Sequence, residues 1–288
     1  MSKPTIHELL KSGGPVVGPG VYDCISARLC ERAGFPMAFL SGYCLSASLL
    51  GEPDFGLLTQ TQVLEAADRI ANAVNIPLIV DIDTGYGNAF NVEKTVEALL
   101  RMGAAGCFLE DQVWPKRCGH MEGKRVVDLD EYLPKLRAAL KTREGTGFHV
   151  TARTDSIAAI GFDEALKRAK IFAEEGADAV FVEAPRSIEE LHAIRETVPA
   201  EVTVVANMVE NGKTPLLKTS ELYRMGFGLI AAPVAVLFAG TQGMEELLKT
   251  LKRDETTHAR HEHMYRFDQM GELVGLPERY EREKAWLK

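Results

Sequence analysis

Two aspartates one residue apart, Asp81 and Asp83, close an apolar run at Asp81-Ile82-Asp83. On an extended strand that spacing turns both side chains to the same side. Two carboxylates held so close repel each other and raise a pKa unless a cation neutralises them. With Glu110 at the end of another apolar run, they form a hard, oxygen-rich set suited to Mg²⁺, which keeps several waters and shares its shell with substrate oxygens. Arg153 and Asn207 end further runs and supply donors for substrate carboxylates, the arginine as a bidentate fork. The polar, glycine-containing stretch 110–124 can close over such a site. Within it Cys118 is flanked by Lys116, Arg117 and His120, cations that favour the thiolate or make the thiol a ready proton donor.

These groups need strands to carry them. Apolar runs rich in β-formers recur at 15–21, 37–41, 77–83, 106–111, 148–153, 179–183, 202–207 and 228–232. Between them lie stretches with apolar residues three and four apart, at 61–73, 92–102, 162–175 and 188–198 among others. Several of these end on a glycine, as at Gly103, Gly176 and Gly226, the residue that accepts a left-handed C-cap. Strands that are apolar throughout are buried on both faces, as in parallel sheets covered by helices. About eight such units, with no GxGxxG after the first strand, favour a (β/α)8 TIM-type barrel over a dinucleotide-binding fold. In a barrel the catalytic groups come from the C-terminal strand ends, and Ser41-Gly42-Tyr43, Asp81, Asp83, Glu110-Asp111, Arg153-Thr154-Asp155, Glu183 and Asn207 all fall there. After about residue 250 the pattern turns to charged, helical segments. The expectation is one domain over 1–288, with 250–288 as an appended helical extension.

The 288 residues are 46% hydrophobic, with a formal net charge of -8 and a pI near 5.5. That charge gives no electrostatic reason to expect nucleic acid or an anionic membrane as partner, which leaves a small molecule. Five cysteines without a CxxC pair suggest neither a disulfide framework nor a zinc knuckle. No apolar run approaches the roughly 20 residues a membrane helix needs, and the N-terminus lacks a signal-peptide core, so a cytoplasmic protein is expected.

The chain resembles the isocitrate lyase and phosphoenolpyruvate mutase superfamily over essentially the whole barrel. Lys116-Arg117-Cys118-Gly119-His120 is similar to the signature of its lyase branch, whereas the mutases and phosphonopyruvate hydrolases lack the cysteine. Ser41-Gly42-Tyr43, the stretch 51–58, 81–87, 110–115 and Asn207-Met208-Val209-Glu210 most resemble the 2,3-dimethylmalate lyase and petal death protein subgroup. The resemblance implies that Asp81 and Asp83, with Asp54 and Glu110 through water, hold Mg²⁺ or Mn²⁺. It places Ser41, Gly42, Tyr43, Gly119, His120, Arg153, Glu183 and Asn207 around a small 2-hydroxy dicarboxylate, with Lys116 among the catalytic groups. It implies cleavage of the C2–C3 bond of 2,3-dimethylmalate or another 2-alkylmalate to pyruvate and a carboxylate such as propionate, with 2-methylisocitrate cleavage to pyruvate and succinate, or oxaloacetate hydrolysis, as the alternatives. Tyr43 is the candidate base, with Glu183 or a water as alternatives, and Cys118 protonates the released carbon. Members commonly swap a late helix within a homotetramer, and the stretch 282–286 is consistent with an end that packs on a partner.

Two departures bear on substrate. Methylisocitrate lyases carry small residues in place of Trp114-Pro115 and Gly-Gly in place of Tyr43-Cys44. Oxaloacetate hydrolases carry a serine near the Asn207 strand end, where this chain reads Lys213-Thr214-Pro215-Leu216. Outside the site, His258, His261 and His263 read as a solvated face and His149 as structural, while Trp114 and Phe55 either shape the pocket or belong to the core.

Overall fold

A computed structural model describes residues 3–287. Eight parallel strands close into a barrel: β1 (Val16–Val21), β2 (Ala38–Leu40), β3 (Leu78–Asp81), β4 (Gly106–Glu110), β5 (His149–Thr154), β6 (Ala179–Val182), β7 (Thr203–Asn207) and β8 (Phe227–Ala232), with β8 pairing back to β1. The TIM-type expectation is met. Helices follow the strands at Cys24–Arg32, Gln60–Ala73, Ala89–Arg101, Leu129–Thr142, Phe162–Glu174, Ile188–Thr197 and Thr219–Arg224. The glycines expected to cap helices do so, with φ of 77°, 94° and 95° at Gly103, Gly176 and Gly226.

The chain divides into two compact units, Met1–Ala235 and Val236–Lys288. The first holds the whole barrel. Its outer core lies between strands and helices, where Val80, Leu109 and Val182 meet Val96, Leu136 and Phe172. A second core fills the barrel itself, with Phe108 between Phe39 and Phe181 at ring separations of 4.8 and 5.7 Å. The first helix, α1 (Ile6–Lys11), closes the N-terminal end by inserting Ile6, which is fully buried. Thr5 and Glu8 form the capping box that starts α1. The second unit contains the body of the helix Ala235–Asp254, a 3-10 turn His258–His263 and the helices Phe267–Leu273 and Leu276–Trp286. His258, His261 and His263 are exposed. Among the described residues no helix is long and apolar enough to cross a membrane.

One detail corrects the sequence reading. The strand carrying the aspartates stops at Asp81, and Asp83 lies beyond it with φ of 50°. Strand alternation therefore does not bring the two carboxylates together; a turn does, with the Asp83 N–H donating to Asp81 Oδ1 at 3.1 Å.

Candidate active site

The register of the barrel sets the first pairing. Glu110 is aligned with Arg153 across β4 and β5, and Arg153 with Phe181 across β5 and β6. Arg153 thus lies against the Phe181 ring, 5.1 Å from its centroid, with its guanidinium among three acids. Its Nε lies 2.9 Å from Asp155 Oδ2 and 3.2 Å from Glu110 Oε2, and its Nη2 lies 3.2 Å from Glu183 Oε2. Asn207 donates to the same Glu183 carboxylate at 3.3 and 3.4 Å, leaving its Oδ1 without a partner. The donors expected for substrate carboxylates are therefore engaged with the protein's own acids in this structure. Burial alone would raise the Glu183 carboxyl; Arg153, with help from His120, outweighs it and holds the group below its usual range.

A second cluster sits at the end of β3. Asp54, Asp81, Asp83 and Glu110 are all buried and face the ammonium of Lys116, whose Nζ is 2.7 Å from both Asp54 Oδ2 and Asp83 Oδ1. Burial would lower the Lys116 pKa, but Asp83, Asp54, Asp81 and Glu110 together keep it well above its usual value. Glu110 moves the other way, pushed well up by burial despite the opposing charge of Arg153. Glu110 Oε1 has no partner among the described residues, while its Oε2 meets Arg153 and Asp83 Oδ1 meets Lys116 as ion pairs. Four buried carboxylates against one ammonium, with oxygens left over, are a donor set that a hard divalent cation fits.

The 110–124 loop is folded over this mouth. Gln112 grips it at the neck, accepting from Arg117 N–H at 3.0 Å and donating to Arg117 C=O at 2.8 Å. Cys118 N–H donates to Asp54 C=O at 3.1 Å, tying the loop to the acidic cluster. Lys124 is buried on Asp155 Oδ1 at 2.8 Å and also donates to Gly119 C=O. Gly119 has no room for a side chain: a Cβ there would stand 2.5 Å from Glu183 and 2.7 Å from Arg153. Beyond it, His120 Nδ1 accepts from Lys213 N–H at 3.0 Å, which assigns the ring proton to Nε2, 3.1 Å from Glu183 Oε1. Cys118 carries the decisive electrostatics. Burial pushes its thiol up to about 11, and the nearby Lys116 does not reverse this. Of the two states the sequence allowed, the structure favours the neutral thiol.

Ser41, Gly42 and Tyr43 start the short helix Gly42–Leu45 at the end of β2, with Ser41 as its N-cap. Gly42 lets that helix lie on the acids, since a Cβ would sit 3.1 Å from Asp81 Oδ2. Burial, then the proximity of Cys118, raises the Tyr43 phenol above its usual pKa. The sequence placed Asp111, Thr154 and Asp155 at strand ends but not their partners Lys124 and Arg168, which complete a supporting layer. Asp155 joins Arg153 to Lys124, and Asp111 accepts from Thr154 Oγ1 at 2.6 Å, Asp155 N–H at 2.9 Å and Arg168 Nη1 at 2.9 Å. Half-buried Tyr86, whose buried hydroxyl has no partner among the described residues, packs edge-on to Trp114 at 6.0 Å. Trp114 and Phe55 are partly exposed, Phe55 beneath the Arg117 guanidinium, so neither is a core residue.

The family model for phosphoenolpyruvate phosphomutase matches residues 6–252. The chain belongs to the phosphoenolpyruvate mutase/isocitrate lyase superfamily. Superfamily relatives are near in sequence along almost the whole chain. A chloroplastic carboxyvinyl-carboxyphosphonate phosphorylmutase of Arabidopsis thaliana is 45% identical, covering 97% of this chain and 83% of its own length. The petal death protein of Dianthus caryophyllus is 44% identical, covering 99% and 89%. The 2,3-dimethylmalate lyase of Eubacterium barkeri is 43% identical, covering 94% and 93%. Among solved structures in the superfamily, oxaloacetate acetylhydrolase bound to 3,3-difluorooxalacetate superposes with a TM-score of 0.92 at 35% identity, covering 98% and 95% of the two chains. A 2,3-dimethylmalate lyase superposes with a TM-score of 0.91 at 35% identity, covering 96% and 92%.

Proposed function

We propose that this chain is a carbon–carbon lyase that cleaves a 2-alkylmalate such as 2,3-dimethylmalate to pyruvate and a carboxylate such as propionate. The observation that carries the reading is Cys118, a half-buried neutral thiol in the loop at the mouth, next to Gly119, which is pressed against Arg153 and Glu183 with no room for a side chain. A cleavage that releases a carbanion needs such a proton donor; a phosphoryl mutase does not.

Asp81 and Asp83, with Asp54 and Glu110 through water, would hold Mg²⁺ or Mn²⁺. When bound, the ion supplies Lewis acidity that lowers the pKa of the substrate's 2-hydroxyl. The protein's own groups do the rest. A base takes the hydroxyl proton, the C2–O bond becomes a carbonyl, and the C2–C3 electrons pass into the neighbouring carboxylate. Tyr43 is the assigned base, beside both Asp54 and Cys118, and its raised pKa must be offset by positive charge in the loaded site. Arg153 and His120 stabilise the negative charge that develops, and Ser41, Gly42, Gly119 and Asn207 shape the pocket around it. Cys118 Sγ–H then protonates C3. Lys116 balances the acids until substrate and ion enter.

The test is pyruvate release with Mg²⁺ from 2,3-dimethylmalate, 2-methylmalate, 2-methylisocitrate and isocitrate, with oxaloacetate loss followed separately. Preference for an alkylmalate supports the assignment, and turnover of oxaloacetate alone replaces it with hydrolase activity. Cys118→Ala is expected to lower turnover by at least about 10³-fold while Mg²⁺ binding survives. Retained turnover removes the thiol from the mechanism. In the second unit Phe267, Trp286 and Leu287 are largely exposed, at 93%, 72% and 82%. We assign them to a helix-swapped homotetramer, which light scattering on the purified protein tests.

A further inference from the structure

At the opposite end of the barrel from the acidic mouth, three metal-binding side chains meet. His149 opens β5, Asp178 immediately precedes β6 and His7 lies on α1. One ligand atom from each lies within 4.8 Å of the other two, and His7 Nε2 is 3.1 Å from Asp178 Oδ1. The two imidazole rings lie 5.2 Å apart between centroids, with their planes tilted by 55°. The feature that needs explaining is His149. It is completely buried, yet neither ring nitrogen has a hydrogen-bond partner among the described residues. Folded proteins rarely leave a buried imidazole with both its donor and its acceptor unused.

We propose that His7, His149 and Asp178 bind a divalent transition metal of the zinc class that fastens α1 to the base of the barrel. Two imidazoles and one carboxylate suit that class of ion, in contrast to the all-oxygen set at the mouth. Burial holds His149 neutral, its pKa down to about 4, so a ring lone pair is available for coordination. The carboxylate already has an outer shell: Val150 N–H donates to Asp178 Oδ2 at 2.8 Å and Arg143 Nη2 to Oδ1 at 2.9 Å. Such partners orient ligating carboxylates. Arg143 is the cation facing the cluster, and it also reaches Gly176 C=O at 3.3 Å, so it keeps a partner when Asp178 Oδ1 turns to the metal. The His7 side chain is 35% exposed, which provides an entry path and room for water ligands.

The experiment strips the full-length protein with a chelator and titrates it with Co²⁺ in excess Mg²⁺, so that the oxygen-rich mouth is already filled. One Co²⁺ per chain is expected, with visible d–d absorption and a raised melting temperature. His7→Ala, remote from the catalytic mouth, should weaken that uptake at least about tenfold and leave basal activity unchanged. His149→Gln should do the same while retaining a polar side chain. No Co²⁺ uptake beyond the Mg²⁺-filled site overturns the proposal, as does equal uptake by wild type and His7→Ala. A thiolate charge-transfer band would place the ion on a cysteine and overturn it equally.

Discussion

At the C-terminal mouth of the barrel the backbone enters the left-handed region at side-chain-bearing residues, Asp83, Tyr86, Ala184 and Asn211, as well as at glycines such as Gly56 and Gly85. At the N-terminal end the same conformation falls on glycines, at Gly103, Gly147, Gly176 and Gly226. Glycine adopts positive φ at no steric cost, whereas other residues there cost about 1–3 kcal/mol each. The contrast extends to charge. Among the described residues the mouth buries seven carboxylates, Asp54, Asp81, Asp83, Glu110, Asp111, Asp155 and Glu183, with Lys116, Lys124, Arg153 and Arg168. The base is plugged by the apolar Ile6 and carries the small His7–His149–Asp178 group. Strain and uncompensated charge therefore collect where chemistry is assigned, and the opposite end supplies regular packing that tolerates them.

Removing a charge at the mouth should sharpen that contrast most. Arg153→Met leaves Glu110, Asp155 and Glu183 buried without their shared partner, and urea unfolding should register a loss of roughly 3–5 kcal/mol. An unchanged midpoint would mean that the acids are neutralised some other way. His149→Gln probes the base through pH. Because burial depresses the folded His149 pKa to about 4, the unfolded chain takes up its proton first on acidification. Stripped of metal, the wild type should thus lose stability contributed by His149 as pH falls from about 6.5 to 4, by up to about 3 kcal/mol. Thermal melts of the variant over that range should be flatter by this amount; parallel curves would show that His149 does not titrate as described. Gly119→Ala is expected to act on the loop rather than the fold, lowering kcat while the melting temperature moves by less than about 2 °C. Equal losses of both would make Gly119 a packing residue only. The smallest effect belongs to Glu65→Ala, which breaks an exposed pair with Arg69 and should leave unfolding within error of wild type.

Much of the architecture was legible because it rests on local rules. Apolar runs, helical spacing and glycine caps each depend on a few neighbouring residues, so the strands of the barrel were readable one by one. The strand-end acids and the Cys118 loop were readable for the same reason. The supporting charges were not. Lys124 meets Asp155, and Arg168 meets Asp111, only after the barrel closes, and each looks in sequence like an ordinary surface charge. Asp83 shows a subtler limit: its partnership with Asp81 was expected, but by alternation along a strand that in fact ends two residues earlier. His149 was read as structural because the sequence could not show His7 and Asp178 beside it.

The grip of Gln112 on both backbone groups of Arg117 fixes the contour length of the chain between them. An insertion or deletion within 113–116 would separate the amide from its two partners and shift Lys116 off Asp54 and Asp83 at once. Variation in loop length among descendants of this sequence should therefore be absent from that short span. It should collect instead around Met121 to Gly123, where Glu122 and Gly123 are exposed and the Glu122 C=O is met by the long Arg117 side chain, which can follow a displaced backbone.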